Sequence, residues 1–169
     1  LRVPAFWSGG NCWRVRYSSS EIGIHRWQSE CSDSSDTGLH GQSGELEVLA
    51  YKGDHPLYSR GALVASADRR YLTHAAGTPF FWLADTRWMG LCSRLRWPDD
   101  FQALTADRLQ KGFSVIQFVA GPYPDMPSFD ERGRNEAGFP WEADYARVNP
   151  AYYDLADIRI RHLINQGLV

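Results

Sequence analysis

Apolar residues run without interruption from Phe80 to Ala84 and stop at Asp85 and Thr86. Such a run predicts a strand, Pro79 to Ala84, buried on both faces of a parallel sheet covered by helices. A second run, Phe113 to Ala120, is broken only by Gln117 and predicts another buried strand. Between them, Pro98, Asp99 and Asp100 mark the start of a helix that Gly112 closes. After a long loop, Asn149 caps a further helix with Pro150 at its first position. Tyr153, Ala156, Ile160, Leu163 and Ile164 share one face of it, and Gly167 ends it. The order is β-α-β-α with a new strand starting at Leu168, which implies a parallel sheet with right-handed crossovers.

Upstream, the period is two. Trp13, Val15 and Tyr17 alternate with Arg14 and Arg16, and Trp27 alternates with Arg26 and Gln28. The turn-rich Ser18–Gly23 between them predicts a hairpin with one apolar face, followed by a strand over Glu45–Ala50. Three such strands need a second sheet to cover them, so residues 1–50 read as part of a β-sandwich. Residues 51–58 read as a linker. Ala62–Ala67 and Arg70–His74 then flank Asp68-Arg69 as a small hairpin. The fold class is thus mixed: a partial β-sandwich over 1–50, then an α/β domain over 59–169. A doubly wound sheet and an eight-stranded barrel both continue the β-α-β-α order. A barrel needs ~250 residues, and the region from Leu57 supplies less than half of that. Both ends read as cut, so the chain reads as a fragment and localisation stays open.

Composition narrows the function classes. A net charge of −2 offers no basic excess for nucleic acid. No apolar run approaches the ~20 residues of a membrane span. Cys12, Cys31 and Cys92 lack any metal spacing, and alternation puts Cys12 and Cys31 on different faces, so three free thiols are expected. The five histidines are scattered, which supports no metal site. The phosphate-cradling Gly-rich loops and the Gly-x-Ser-x-Gly elbow are absent, so neither a nucleotide cofactor nor a serine hydrolase is indicated.

What remains is carried by two loops. In parallel α/β folds the segments after the strands build the site. Asp85, Thr86 and Trp88 follow the first strand; Asp85 would either face ligand or cap backbone N–H groups. The second loop, Gly121 to Asn149, far exceeds the usual two to six residues of such a connection. It holds Tyr123, Phe129, Phe139, Trp141 and Tyr145 beside Asp125, Asp130, Glu131, Glu136, Glu142 and Asp144. Rings beside carboxylates suit a sugar, whose C–H face stacks and whose hydroxyls donate. Trp88, Tyr123 and Trp141 are candidates to line the cleft, whereas Phe129 and Phe139 read as pins of the loop. Arg87, Arg94 and Arg96 form structural ion pairs or a site for an acidic sugar.

Three segments resemble the apiosidase-like glycoside hydrolases: Arg60–Ser66, His74–Trp88 with its Gly-Thr-Pro-Phe-Phe-Trp-Leu-x-Asp-Thr core, and Lys111–Gln117. His74-Ala-Ala-Gly77 departs from the pattern, where an Asp is more usual before the glycine. Val3–Gly10 and Trp13–Tyr17 look like the β-sandwich that often precedes such barrels. The resemblance implies the first βα units of a (β/α)8 TIM barrel in a bacterial enzyme that cleaves glycosidic bonds of complex, plant-type polysaccharide with two carboxylates. Those carboxylates are expected after later strands, commonly the fourth and seventh, so none is assigned within these residues. The substrate-binding expectation rests on Asp85, Thr86, Trp88, Tyr123, Asp125 and Trp141, with an oligosaccharide or polysaccharide as partner and no cofactor or metal. The alternative is a non-catalytic carbohydrate-binding protein on the same scaffold. Oligomeric state, sugar and linkage stay open.

Overall fold

The computed structural model describes all residues from Leu1 to Val169. The chain falls into two compact units, one formed by Leu1–Val15 with Asp54–Val169, the other by Arg16–Gly53. This differs from the expected division, because the first fifteen residues group with the later part of the chain. In the larger unit they form a short hairpin, β1 (Phe6–Trp7) with β2 (Trp13–Arg14). In the smaller unit β3 (Gly23–Gln28) pairs antiparallel with β4 (Ser43–Val48), Trp27 opposite Gly44. A Cβ on Gly44 would lie 2.8 Å from the Trp27 ring, so the indole lies flat where only glycine leaves room. The expected hairpin between 13–17 and 26–28 is therefore corrected. Each half finds its own partner, through the turn at Ser8–Cys12 and across the loop Ser29–Gln42. The first fifty residues thus make two separate two-stranded sheets. Cys12, Cys31 and Cys92 are all free thiols.

In the larger unit, α1 (Pro56–Ser59) precedes a three-stranded antiparallel sheet of β5 (Leu63–Ala65), β6 (Leu72–His74) and β7 (Pro79–Phe80). The Asp68-Arg69 turn forms as expected, with Ser66 Oγ donating to Asp68 at 2.6 Å. The apolar run beyond it behaves differently. Pro79 and Phe80 close this small sheet, Phe81 is 76% exposed, and the parallel strand β8 begins only at Ala84 and runs to Arg87. Continuous apolar character did not mark one strand buried on both faces. It spans the end of one sheet, a short connector and the start of the next. Ser114 Oγ holds that connector by donating to Phe81 O at 2.5 Å.

β8 pairs in parallel with β9 (Val115–Phe118), Asp85 beside Ile116 and Thr86 beside Gln117. Val169 joins the far edge of β9: Ile116 N donates to Val169 O and Val169 N donates to Ser114 O. Three chain passages therefore lie side by side in sequence order. The crossovers are α2 (Asp99–Gln110) and α3 (Pro150–Asn165). Asp99 and Asp100 occupy the first turn of α2, where the helix dipole favours anions. Pro150 starts α3 as expected, but Asn149 makes no side-chain cap and instead donates to Ala137 O and Phe139 O, both at 2.9 Å. The buried stripe of α3 is Tyr152, Ala156, Arg159 and Leu163, shifted by one residue from the expected Tyr153 edge. Both helices pack on the same face of the parallel pair. Phe101 of α2, Ile116 of β9, Leu163 of α3 and Leu168 form one core, and Leu91, Tyr152 and Ala156 form another. Burying side chains of this size contributes roughly 1.5–3 kcal/mol each.

Candidate carbohydrate site

Alternation along β8 sorts the first group of candidate residues. Asp85 and Arg87 share the face of Ile116 and Phe118, toward the helices. Arg87, 3% exposed at its side chain, lies over the Phe101 ring and donates to Thr105 Oγ1 at 2.9 Å and to Leu104 O at 3.2 Å. Asp85 accepts from Arg87 Nε at 3.2 Å and from Arg108 Nε at 2.9 Å. Its carboxylate therefore stands inside the strand, between two guanidinium groups, and not at the strand's end. Burial lowers the Arg87 pKa, while the Asp85 hydrogen bond and charge oppose that shift. Thr86 and Gln117 occupy the opposite, exposed face, and Trp88 just beyond is 44% exposed. Of the first-loop residues, Thr86 and Trp88 are open to solvent and Asp85 is engaged with the helix layer.

The second loop is ordered by its own contacts. Tyr123 is buried, and its hydroxyl meets that of Tyr152 at 2.6 Å. Burial raises both phenols, Tyr152 to about 12. Tyr123 thus braces the loop against α3, and it also lines a small pocket with Phe129, Phe139, Trp141 and Tyr145. Asn135, buried, donates to Tyr152 O at 3.1 Å, and Glu136 accepts twice from Arg159 Nη2, at 2.9 and 3.1 Å. Arg159 is 1% exposed at its side chain and lies over Trp97. Sequence reasoning missed it; the available signal was a charged residue on the otherwise apolar stripe of α3.

The loop acids are nearly all occupied. Asp125 pairs with Arg94 at 2.7 Å, Asp130 with Arg132 at 2.9 Å, Glu131 with Arg134 at 2.7 Å, and Glu142 with Arg147 at 3.0 Å. The Arg94 guanidinium holds Asp125 below the ordinary carboxylate range, and the Arg132 side chain, then its backbone N–H, take Asp130 down to about 2. Arg96 is likewise committed, to Asp100 at 2.6 Å. The basic cluster after the first strand is thus a set of ion pairs, with no guanidinium spare for an acidic sugar. Asp144 alone of the six loop acids has no arginine against it.

The aromatic residues gather at the far end of the loop. Trp141 bridges to Val148, Glu142 N donates to Arg147 O, and the short hairpin so formed carries a 3-10 turn over Ala143–Tyr145 at its tip. Phe129 meets Phe139 edge-on at 5.7 Å and Tyr145 at 5.1 Å, while Trp141 meets Tyr145 at 6.1 Å. The Tyr145 hydroxyl donates to Ser128 Oγ. Phe129, Phe139 and Trp141 line a crevice that Asp144 and Asn149 border. Phe129 and Phe139 pin the loop as expected and also form the crevice wall, with Arg134 over Phe139. Among the expected site residues, Trp141 lines this crevice and, with Tyr123, the small pocket beside it; Thr86, Trp88 and Asp125 line neither.

No group of His, Cys, Asp or Glu is arranged to hold a metal, and no helix is long and apolar enough to cross a membrane.

No curated protein matches the chain. Among solved structures, one titled "Glycoside hydrolase" is 28% identical over 66% of this chain and 24% of its own, with a TM-score of 0.41. A glycoside hydrolase family 5 protein from Bacteroides vulgatus ATCC 8482 is 23% identical, covers 66% of this chain and 23% of its own, and gives a TM-score of 0.50. The chain therefore spans about a quarter of the length of these structures and shares the second one's fold over that part. Residues 66–169, which include the parallel pair, both crossover helices and the whole second loop, match the family model described as "Apiosidase-like, catalytic domain". With most of its length so matched, the chain belongs to the apiosidase-like catalytic-domain family.

Proposed function

We propose that the protein containing this chain is a glycoside hydrolase acting on complex, plant-type polysaccharide, and that residues 59–169 open its (β/α)8 barrel. The observation that carries this reading is the parallel order of β8, β9 and Val169, with both crossover helices on one face. A barrel grows in that manner, and its chemistry gathers in the loops after the strands. The exposed face of the pair, with Thr86 and Gln117, becomes interior as further strands close the barrel, and Trp88 reaches its rim. β3 and β4, in the smaller unit, are read as belonging to a β-sandwich domain.

Hydrolysis follows from two carboxylates supplied beyond residue 169. One protonates the glycosidic oxygen, and the other acts as nucleophile or activates water. Asp85, clamped between Arg87 and Arg108, holds strand to helix and takes no part in this chemistry. Asp125, held by Arg94, shapes the second loop. Thr86, Trp88 and Trp141 are the substrate-facing residues.

The test is a glycan-release screen of the full-length protein against neutral and acidic plant polysaccharides. Release of reducing sugar from at least one of them is expected. Binding without release would overturn hydrolysis and leave a carbohydrate-binding role.

A further inference from the structure

The tip of the second loop carries features that the strand and helix framework does not require. Three non-glycine residues there adopt left-handed backbone: Phe129 at φ 64°, Asp144 at φ 54° and Tyr145 at φ 58°. Asp tolerates this region, but bulky aromatic residues rarely occupy it. Strain of this kind costs on the order of 1–3 kcal/mol per residue and gathers at ligand clamps. Phe129 and Asp144 border one crevice, walled by Phe129, Phe139 and Trp141, and Tyr145 lines the small pocket beside it. Trp141 adds a second irregularity. Its indole N–H is buried without a hydrogen-bond partner, and an unmade buried hydrogen bond costs roughly 1–3 kcal/mol. The third concerns charge. Asp125, Asp130, Glu131, Glu136 and Glu142 each face an arginine, whereas Asp144 stands at the crevice with none.

We propose that this crevice is a binding subsite for a neutral sugar residue, in which the unpaired Asp144 carboxylate accepts hydroxyl hydrogen bonds while the rings of Phe129, Phe139 and Trp141 receive the apolar C–H face. The inference rests on the sugar-processing reading above and deepens it by naming the sugar's charge class. A pyranose or furanose ring supplies hydroxyl donors for Asp144 and a C–H face for the rings. A uronate does not fit: its carboxylate would approach Asp144, with every nearby arginine already committed to another acid. Like charges at such range disfavour each other. The consecutive left-handed residues, Asp144 and Tyr145, turn the chain at the hairpin tip, where Asp144 borders the crevice and Tyr145 the pocket beside it.

The test is native affinity electrophoresis of the full-length protein in gels holding arabinogalactan, xyloglucan or homogalacturonan. Retardation is expected in at least one neutral gel and is expected to be weakest in homogalacturonan. Asp144→Gly is the decisive variant, because glycine adopts φ 54° without strain. Its melting temperature should equal or exceed that of the wild type, while retention falls at least tenfold. Trp141→Ala, which removes one wall of the crevice, should lose severalfold.

Equal retention of Asp144→Gly and wild type would overturn the proposal, as would stronger retention in homogalacturonan than in either neutral gel. Failure of the two readings is distinguishable. Sugar release with an Asp144→Gly Michaelis constant unchanged removes the subsite and leaves the hydrolase. Asp144-dependent retention without sugar release removes the hydrolase and leaves the subsite.

Discussion

The helix-facing side of the parallel pair and the tip of the second loop both place an acid beside aromatic rings, to opposite ends. At Asp85 the carboxylate meets two guanidinium groups, at 3.2 and 2.9 Å, and one of these, Arg87, is sealed over Phe101. At Asp144 the carboxylate is exposed, unpaired and held on left-handed backbone beside Trp141 and Phe129. The first arrangement uses its acid to neutralise a buried cation and so fix a strand to a helix. The second leaves its acid available at the cost of local strain. An acid's role is set by what already occupies its lone pairs, more than by its distance from a strand end.

The comparison breaks most visibly at Asp85. Asp85→Ala leaves the Arg87 charge buried with only neutral partners, and breaking a buried pair in this way costs on the order of 3 kcal/mol. Chemical denaturation should show that loss, with turnover per folded molecule of the full-length protein unchanged. A large fall in turnover at full stability would instead return Asp85 to the cleft. Removing Glu136 should cost less, because its side chain is 49% exposed. Glu136→Ala is expected to destabilise by about 1–2 kcal/mol after screening, and hydrogen exchange should rise across 121–149 before it rises in β9.

Tyr123→Phe deletes one hydroxyl and leaves that of Tyr152 buried without its partner, which costs roughly 1–2 kcal/mol. If Tyr123 brackets the loop and faces no ligand, the Michaelis constant should not change. Trp88→Ala should show the reverse: stability within about 0.5 kcal/mol, as for an exposed substitution, and a raised Michaelis constant.

Acid gives the smallest effect. Asp125 and Asp130 have folded pKa values below the unfolded value of about 3.9, Asp130 at about 2. A depressed folded pKa contributes stability above the unfolded value, and that contribution is lost as pH falls through the folded one. Loop contacts should therefore hold at pH 5 and weaken between about 4 and 2. Salt should reduce the effect, since both carboxylates are at the surface. Proton exchange followed across 121–133 would check it.

Much of the order of elements was legible in the chain. Pro98 with Asp99 and Asp100, Gly112, Pro150 and Gly167 punctuate both helices where the structure starts and stops them. The family core around Gly77–Thr86 and the three free thiols were legible as well. The Phe80–Ala84 run misled, because an apolar stretch does not say where one sheet hands over to another. The shift of the α3 stripe to Tyr152 has a similar origin: a buried Arg159, neutralised by Glu136 from a distant loop, counts as surface to any pattern of polarity.

Residue order alone determined the succession of strands and helices, the unusual loop and the family, since these follow from local periodicity, turn chemistry and a short contiguous motif. Only the tertiary structure decided which acids are spoken for. Some ion pairs are local, but Asp125 meets Arg94 across 31 positions and Glu136 meets Arg159 across 23, and such separations carry no signal in a single chain until folding brings each carboxylate to its arginine or, at Asp144, to none.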